Sequence, residues 1–255
     1  MPRPESGATR AVAQALALSL MLVALGAAAK VSSPPRGMSS DGRTNLGLAQ
    51  SYHQQGQDAR ALEHLRMAQD TDPDAPEVHV MYALLYAAQG EQGKAGKSFS
   101  RALKIAPASG VVLNAHAAWL CGQGQVDQAD AEFARALRDP AYNTPLQALA
   151  NAGRCAYRAG KWPRAEQYFR HALEFAPEDG QLLLLLADTE LHQGQTLEAR
   201  AFVQRRDALG ADGATLFLAA RIEDAAGNPT AAARYRERLR TEFPEYVPTG
   251  EGAAP

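Results

Sequence analysis

The sequence predicts an all-α solenoid of about six stacked helix-turn-helix units. Three observations predict it. Gly56, Gly90, Gly124, Gly160, Gly194 and Gly227 recur at intervals of 34, 34, 36, 34 and 33 residues, a period typical of repeat architectures. Seven residues before these glycines stand Ala49, Ala83, Ala117, Gly153, Ala187 and Ala220, and five after them Ala61, Ala95, Ala129, Ala165, Ala199 and Ala232. The glycines set the register, but the twelve small residues do not follow from it: eleven are alanine, in a chain with 52 alanines among 255 residues. Third, aromatic residues are only 7% and Val, Ile and Thr are sparse, which favours helix over sheet.

Composition narrows the class further. An apolar share of 46% and a charged share of 21% are ordinary for a globular chain. A net charge of −2 lacks the basic surplus of a dominant nucleic-acid binder. Two cysteines exclude a disulfide-dense scaffold and any cysteine-only metal centre.

The elements follow in chain order. Residues 1–10 carry Arg3 and Arg10 against Glu5, and residues 11–29 are apolar except Gln14 and Ser19. The run closes on Gly26-Ala27-Ala28-Ala29 before Lys30. A basic start, an apolar core and small residues at the end describe a secretory signal peptide, with cleavage expected after Ala29. The alternative is a retained N-terminal anchor, although the run falls just short of the ~20 apolar residues that cross a bilayer. Residues 30–41, rich in Ser, Pro and Gly, read as a flexible linker, residues 42–244 as six repeats, and residues 245–255 as a flexible tail.

Within each unit the glycine ends a first helix where a left-handed cap is needed. The small residues mark the close approach of two helix backbones. Nine residues after the glycine a large apolar side chain fills the space between helices, at Leu65, Phe99, Phe133 and Phe169; Val203 is a smaller substitute and Arg236 breaks the pattern. A small residue follows at Ala68, Ala102, Ala136 and Ala172, and Pro73, Pro107, Pro177 and Pro244 stop the second helix. This framework resembles the tetratricopeptide repeat. The resemblance implies a right-handed superhelix whose first helices line a concave wall. One unit cannot bury its own apolar face, so units stack and share a core. The last unit needs a polar outer face, which Arg234, Arg236, Glu237, Arg238 and Arg240 supply.

The chain offers no catalytic constellation. His53, His64, His79, His116, His171 and His192 fall in six different predicted helices, with no H-E-x-x-H pair and no phosphate-binding G-x-x-x-x-G-K-[ST] loop. Gly90-Glu-Gln-Gly93-Lys94 reads as an interhelix turn. The expectation is a non-enzymatic protein-binding module with no metal and no cofactor. The repeat positions that face the groove in such proteins give Leu46, Gln50 and His53 in unit one, and Val80 and Leu84 in unit two. They give Asn114 in unit three and Arg154 and Arg158 in unit four. Asn114 and Leu84 are the leading contacts, with Arg154 and Arg158 behind them. A partner with an apolar stretch followed by acids suits such a groove. Cys121 and Cys155 stand on the first helices of consecutive units, a placement that allows a disulfide as well as two buried thiols.

The middle of the chain points to a narrower family. Val112-Leu-Asn-Ala-His-Ala-Ala-Trp-Leu-Cys121-Gly-Gln-Gly124 is followed by Asp139-Pro-Ala-Tyr-Asn-Thr-Pro145 and by Asn151-Ala-Gly-Arg-Cys155-Ala-Tyr-Arg-Ala-Gly160. These runs resemble the type IV pilus biogenesis/stability family, PilF and PilW. The resemblance implies a periplasmic pilotin, associated with the outer membrane, that helps the pilus secretin multimerise, with other pilus assembly proteins as further partners. It also implies a disulfide between Cys121 and Cys155. The sequence departs from that family in one place: members carry a cysteine directly after the apolar signal, whereas here Leu25-Gly26-Ala27-Ala28 stands there and the first cysteine is Cys121. The expected locations are therefore the periplasm, with outer-membrane contact through partners, or the inner membrane if residues 11–29 are retained. The alternative function is a general periplasmic scaffold for another envelope assembly complex.

Overall fold

The structure is a computed structural model in which residues 37–248 are described. The expected signal segment and most of both the linker and the tail lie outside them. Twelve helices and no strand occur among the described residues. They run as six pairs: α1 Ser40–Gln54 with α2 Asp58–Thr71, α3 Pro76–Ala88 with α4 Gln92–Ile105, and α5 Gly110–Gly122 with α6 Val126–Ala136. The second three are α7 Pro145–Arg158 with α8 Trp162–Phe175, α9 Gly180–His192 with α10 Thr196–Ala208, and α11 Gly213–Ala225 with α12 Pro229–Glu242. Helix α1 starts two residues inside the expected linker. None of these helices is long and apolar enough to cross a membrane.

The local code of the repeat is visible at each boundary. All six period-setting glycines have φ between 68° and 77°, the left-handed turn that separates the two helices of a pair. Helices α2, α4, α8 and α12 end two residues before Pro73, Pro107, Pro177 and Pro244. Helix starts are held by side chains that accept otherwise unpaired N–H groups: Ser39 for α1, Ser109 for α5, Asp179 for α9, Asp212 for α11 and Asn228 for α12. The 36-residue interval has a structural cause. Helix α6 stops at Ala136, and residues 137–144 form a longer loop before Pro145 opens α7. The loop is pinned from inside: the Gly110 N–H donates to Asp139 Oδ2 at 2.7 Å, and Tyr142 packs where a side chain at Gly110 would stand.

Packing gives the array its sidedness. Odd-numbered helices touch one another along the array, α1 on α3, α3 on α5, α5 on α7 and α9 on α11. Each even-numbered helix packs on its own partner, and α2, α4, α6, α8 and α10 pack also on the first helix of the next pair. The odd helices thus form the closely spaced inner layer. Phe99, Phe133, Phe169 and Leu65 are at most 1% exposed, and Val203 fills the same place in unit five at 2%. The eleven alanines of the repeat pattern are buried between the helices they join. In α12 only Ala232 is buried, and Arg236 turns outward to pair with Asp224. The last helix is the polar cap that an array of stacked apolar faces requires.

Candidate functional site

The inner layer presents its residues unequally. Leu46 and Val80 turn into the core, 8% and 7% exposed, beside Leu65 and Val78 in one case and Ala83 and Phe99 in the other. Gln50 is exposed, and His53 is half-buried with Nδ1 2.8 Å from Asp58 Oδ1. Leu84 remains 39% exposed, an apolar side chain on the inner face without full cover. Asn114 is buried, and its Oδ1 accepts from Asn151 Nδ2 at 3.2 Å, which spends the amide on a bond between units three and four.

Unit four carries the positive charge. Arg154 Nη2 donates to the side-chain oxygen of Gln181 at 2.6 Å, and Arg158 Nη2 lies 3.4 Å from Cys121 Sγ. Neither guanidinium has a carboxylate partner among the described residues. Cys121 and Cys155 form a disulfide, with Cα atoms 5.8 Å apart. It joins α5 to α7 across the junction that also carries the longer loop at residues 137–144. The described residues include no cluster of three or more His, Cys, Asp or Glu side chains placed to hold a metal ion.

The sequence reading stopped at unit four and missed a polar network on the same face of units four to six. The Tyr157 hydroxyl donates to Asp188, Arg221 Nη1 donates to Asp188 Oδ1 at 3.2 Å, and His192 Nε2 lies 3.6 Å from Asp188 Oδ2. The His192 ring stacks on Trp162 with centroids 4.2 Å apart and 3° between planes. Burial and the bond to Asp188 both raise the Tyr157 hydroxyl well above an ordinary phenol. Asp188 and Arg221 are the unit-five and unit-six equivalents of Leu84 and Arg154, so carrying the groove positions two units further would have found them. Glu190 is fully buried against Arg170, which also binds Glu166, and Arg200 holds Glu223 through Nε and Nη2 at 2.6 and 2.8 Å. Burial raises the Glu190 carboxyl despite its arginine. These pairs bridge neighbouring units, so the C-terminal half of the inner layer is wired together while the N-terminal half presents Leu84 and exposed amides.

Comparisons with known proteins agree with this geometry. Tetratricopeptide repeat profiles match residues 156–222 in one case and residues 8–76, 46–110 and 120–180 in another. No curated protein matches the chain. Among solved structures, that of PilW, described as a widely conserved type IV pilus biogenesis factor, superposes with a TM-score of 0.72 at 28% identity, covering 82% of this chain and 96% of that one. PilF of Pseudomonas aeruginosa gives 0.70 at 22% identity, covering 83% and 96%. YrrB, described as a protein of this repeat class with an unusual peptide-binding site, gives 0.60 at 14% identity, covering 71% and 93%. The last two likenesses speak to the fold alone.

Proposed function

Because the chain belongs to the tetratricopeptide repeat family, we propose that it is a non-enzymatic assembly factor for type IV pili that seats a segment of the outer-membrane secretin on its inner helix face. The observation that carries this reading is the likeness to PilW, which spans nearly the whole of that protein. The sequence runs around Cys121, at residues 139–145 and around Cys155 support it. The apolar segment at residues 11–29 and the Cys121–Cys155 bond both suit an exported chain in the oxidising periplasm.

The test is capture of the secretin from an envelope extract of pilus-bearing cells, with the full chain as bait. The secretin is expected in the captured fraction. Leu84→Asp should lower its recovery by roughly tenfold, a loss of about 1.4 kcal/mol of binding, with an unchanged melting temperature because the side chain stands outside the core. Recovery of envelope proteins without any pilus component would replace this reading with that of a general scaffold. Full recovery by the Leu84→Asp protein would move the contact away from unit two.

A further inference from the structure

We propose that the open cavity between α7 and α9 is a second anchor point on the inner face. It takes an extended segment of a partner protein that carries an apolar side chain followed within two residues by a carboxylate. The inference rests on the protein-docking reading above and adds the chemistry of the segment. The cavity holds about 640 Å³. Its floor is the inner face of α7, through Gln147, Ala150 and Arg154, and its far wall is Leu182 of α9. The end of the longer loop before α7, at Asn143, makes the near wall, so the cavity exists where the repeat interval is lengthened.

Two features select the occupant. The first is apolar surface: Phe175, the last residue of α8, is 52% exposed at the rim, and the partly exposed Leu146 and Ala150 continue that surface inward. An incoming apolar side chain covers this ring and removes it from water. The second is a guanidinium without a carboxylate partner among the described residues. Arg154 is the one cation of the lining, and its partner Gln181 is neutral. The one acid of the lining, Asp179, is engaged elsewhere: its Oδ1 accepts the N–H groups of Gln181 and Leu182 at 2.9 and 3.0 Å and caps α9. Arg158 stands one turn further along the same helix, also without a carboxylate. Asp188, the next acid on this face, is committed to Tyr157 and Arg221. A guanidinium with only a neutral partner at the mouth of an apolar cavity is matched by a carboxylate, which it binds in a two-pronged, charge-assisted way. The side-chain amides of Asn143 and Gln147, bonded to no other described residue, offer donors and acceptors for an extended backbone.

The experiment uses the full chain and three fluorescein-labelled nonapeptides. Each has a central Leu-Phe pair flanked by Gly and Ser, followed by Asp in the first, Asn in the second and Lys in the third. Fluorescence polarisation should show the Asp peptide binding at least tenfold more tightly than the Asn peptide. Ala150→Arg, which fills the cavity, should abolish binding, and Arg154→Glu should reverse the preference toward the Lys peptide. Phe175→Ser, at an exposed site that cannot unfold the chain, should weaken the Asp peptide at least fivefold. Equal binding of the Asp and Asn peptides, or unchanged binding by the Phe175→Ser protein, overturns the proposal. If the wild-type chain captures the secretin and Ala150→Arg and Phe175→Ser capture it equally well, the cavity assignment fails and the pilus reading stands. If no secretin is captured but the peptide preferences hold, the pilus reading fails and the cavity keeps its chemistry. A dimer in sedimentation that Ala150→Arg dissolves gives the cavity to a second copy of the chain and overturns the partner assignment.

Discussion

Gly153 is the one exception among the twelve small residues of the repeat pattern, and Phe169 is the reason. A Cβ placed at Gly153 would lie 2.4 Å from Phe169 Cε1, and that ring is fully buried. Gly153→Ala should therefore destabilise the protein by about 1–3 kcal/mol, the usual cost of overpacking, as urea unfolding would measure. His79 gives a second prediction. Its ring is buried, its Nε2 bonds the Pro73 carbonyl at 3.1 Å, and burial, helped by nearby Arg101, holds its pKa below 6.5. The unfolded chain then binds a proton more readily than the folded one, so His79 contributes stability above pH 6.5 that is lost as pH falls through its lower folded value. The melting temperature should drop between pH 7 and pH 5, and His79→Gln should flatten that drop. The periodicity made the apolar residues of the core legible one by one. It did not reveal that Asn114 and Arg154 hold partners on the next unit, because a period marks which face a residue takes and not which polar group waits opposite.

At the scale of helices, the pairing was legible, because the turn glycine and the small packing residues recur in all six units and a closing proline in four of them. The left-handed glycines and the terminal prolines fall where the repeat places them. The loop before α7 was visible as a longer interval, but its consequence was not. That the longer loop walls a cavity depends on Tyr142 docking against Gly110, a contact between residues 32 positions apart in different elements. The same junction carries the disulfide, which staples α5 to α7. Closing a loop of 34 residues stabilises by roughly 3–4 kcal/mol in the chain-entropy account. Reductant should lower the unfolding free energy of the wild-type protein by about that amount, and should leave a Cys121→Ser, Cys155→Ser double variant unaffected. A wild-type urea curve that ignores reductant would show that the staple adds nothing beyond what packing already fixes.

Over the whole molecule, polarity is distributed along the array rather than around it. The first half of the inner layer leaves Leu84 and exposed amides toward solvent, the middle carries Arg154 and Arg158, and the far half is tied by Asp188, Glu190 and Glu223 to arginines of adjacent helices. A ligand lying along this face meets apolar surface first and positive charge second. The far half offers it mainly groups that already have partners. The odd-on-odd packing that creates this face has a kinetic consequence as well. Each helix draws its main contacts from elements one or two places away along the chain, so the average loop closed in forming a contact is short. Chains of this kind assemble without long-range searches, and their order can spread from any unit that forms first. This protein can therefore form pair by pair as it emerges from a ribosome, each new pair folding onto a finished surface instead of waiting for the last residue to arrive.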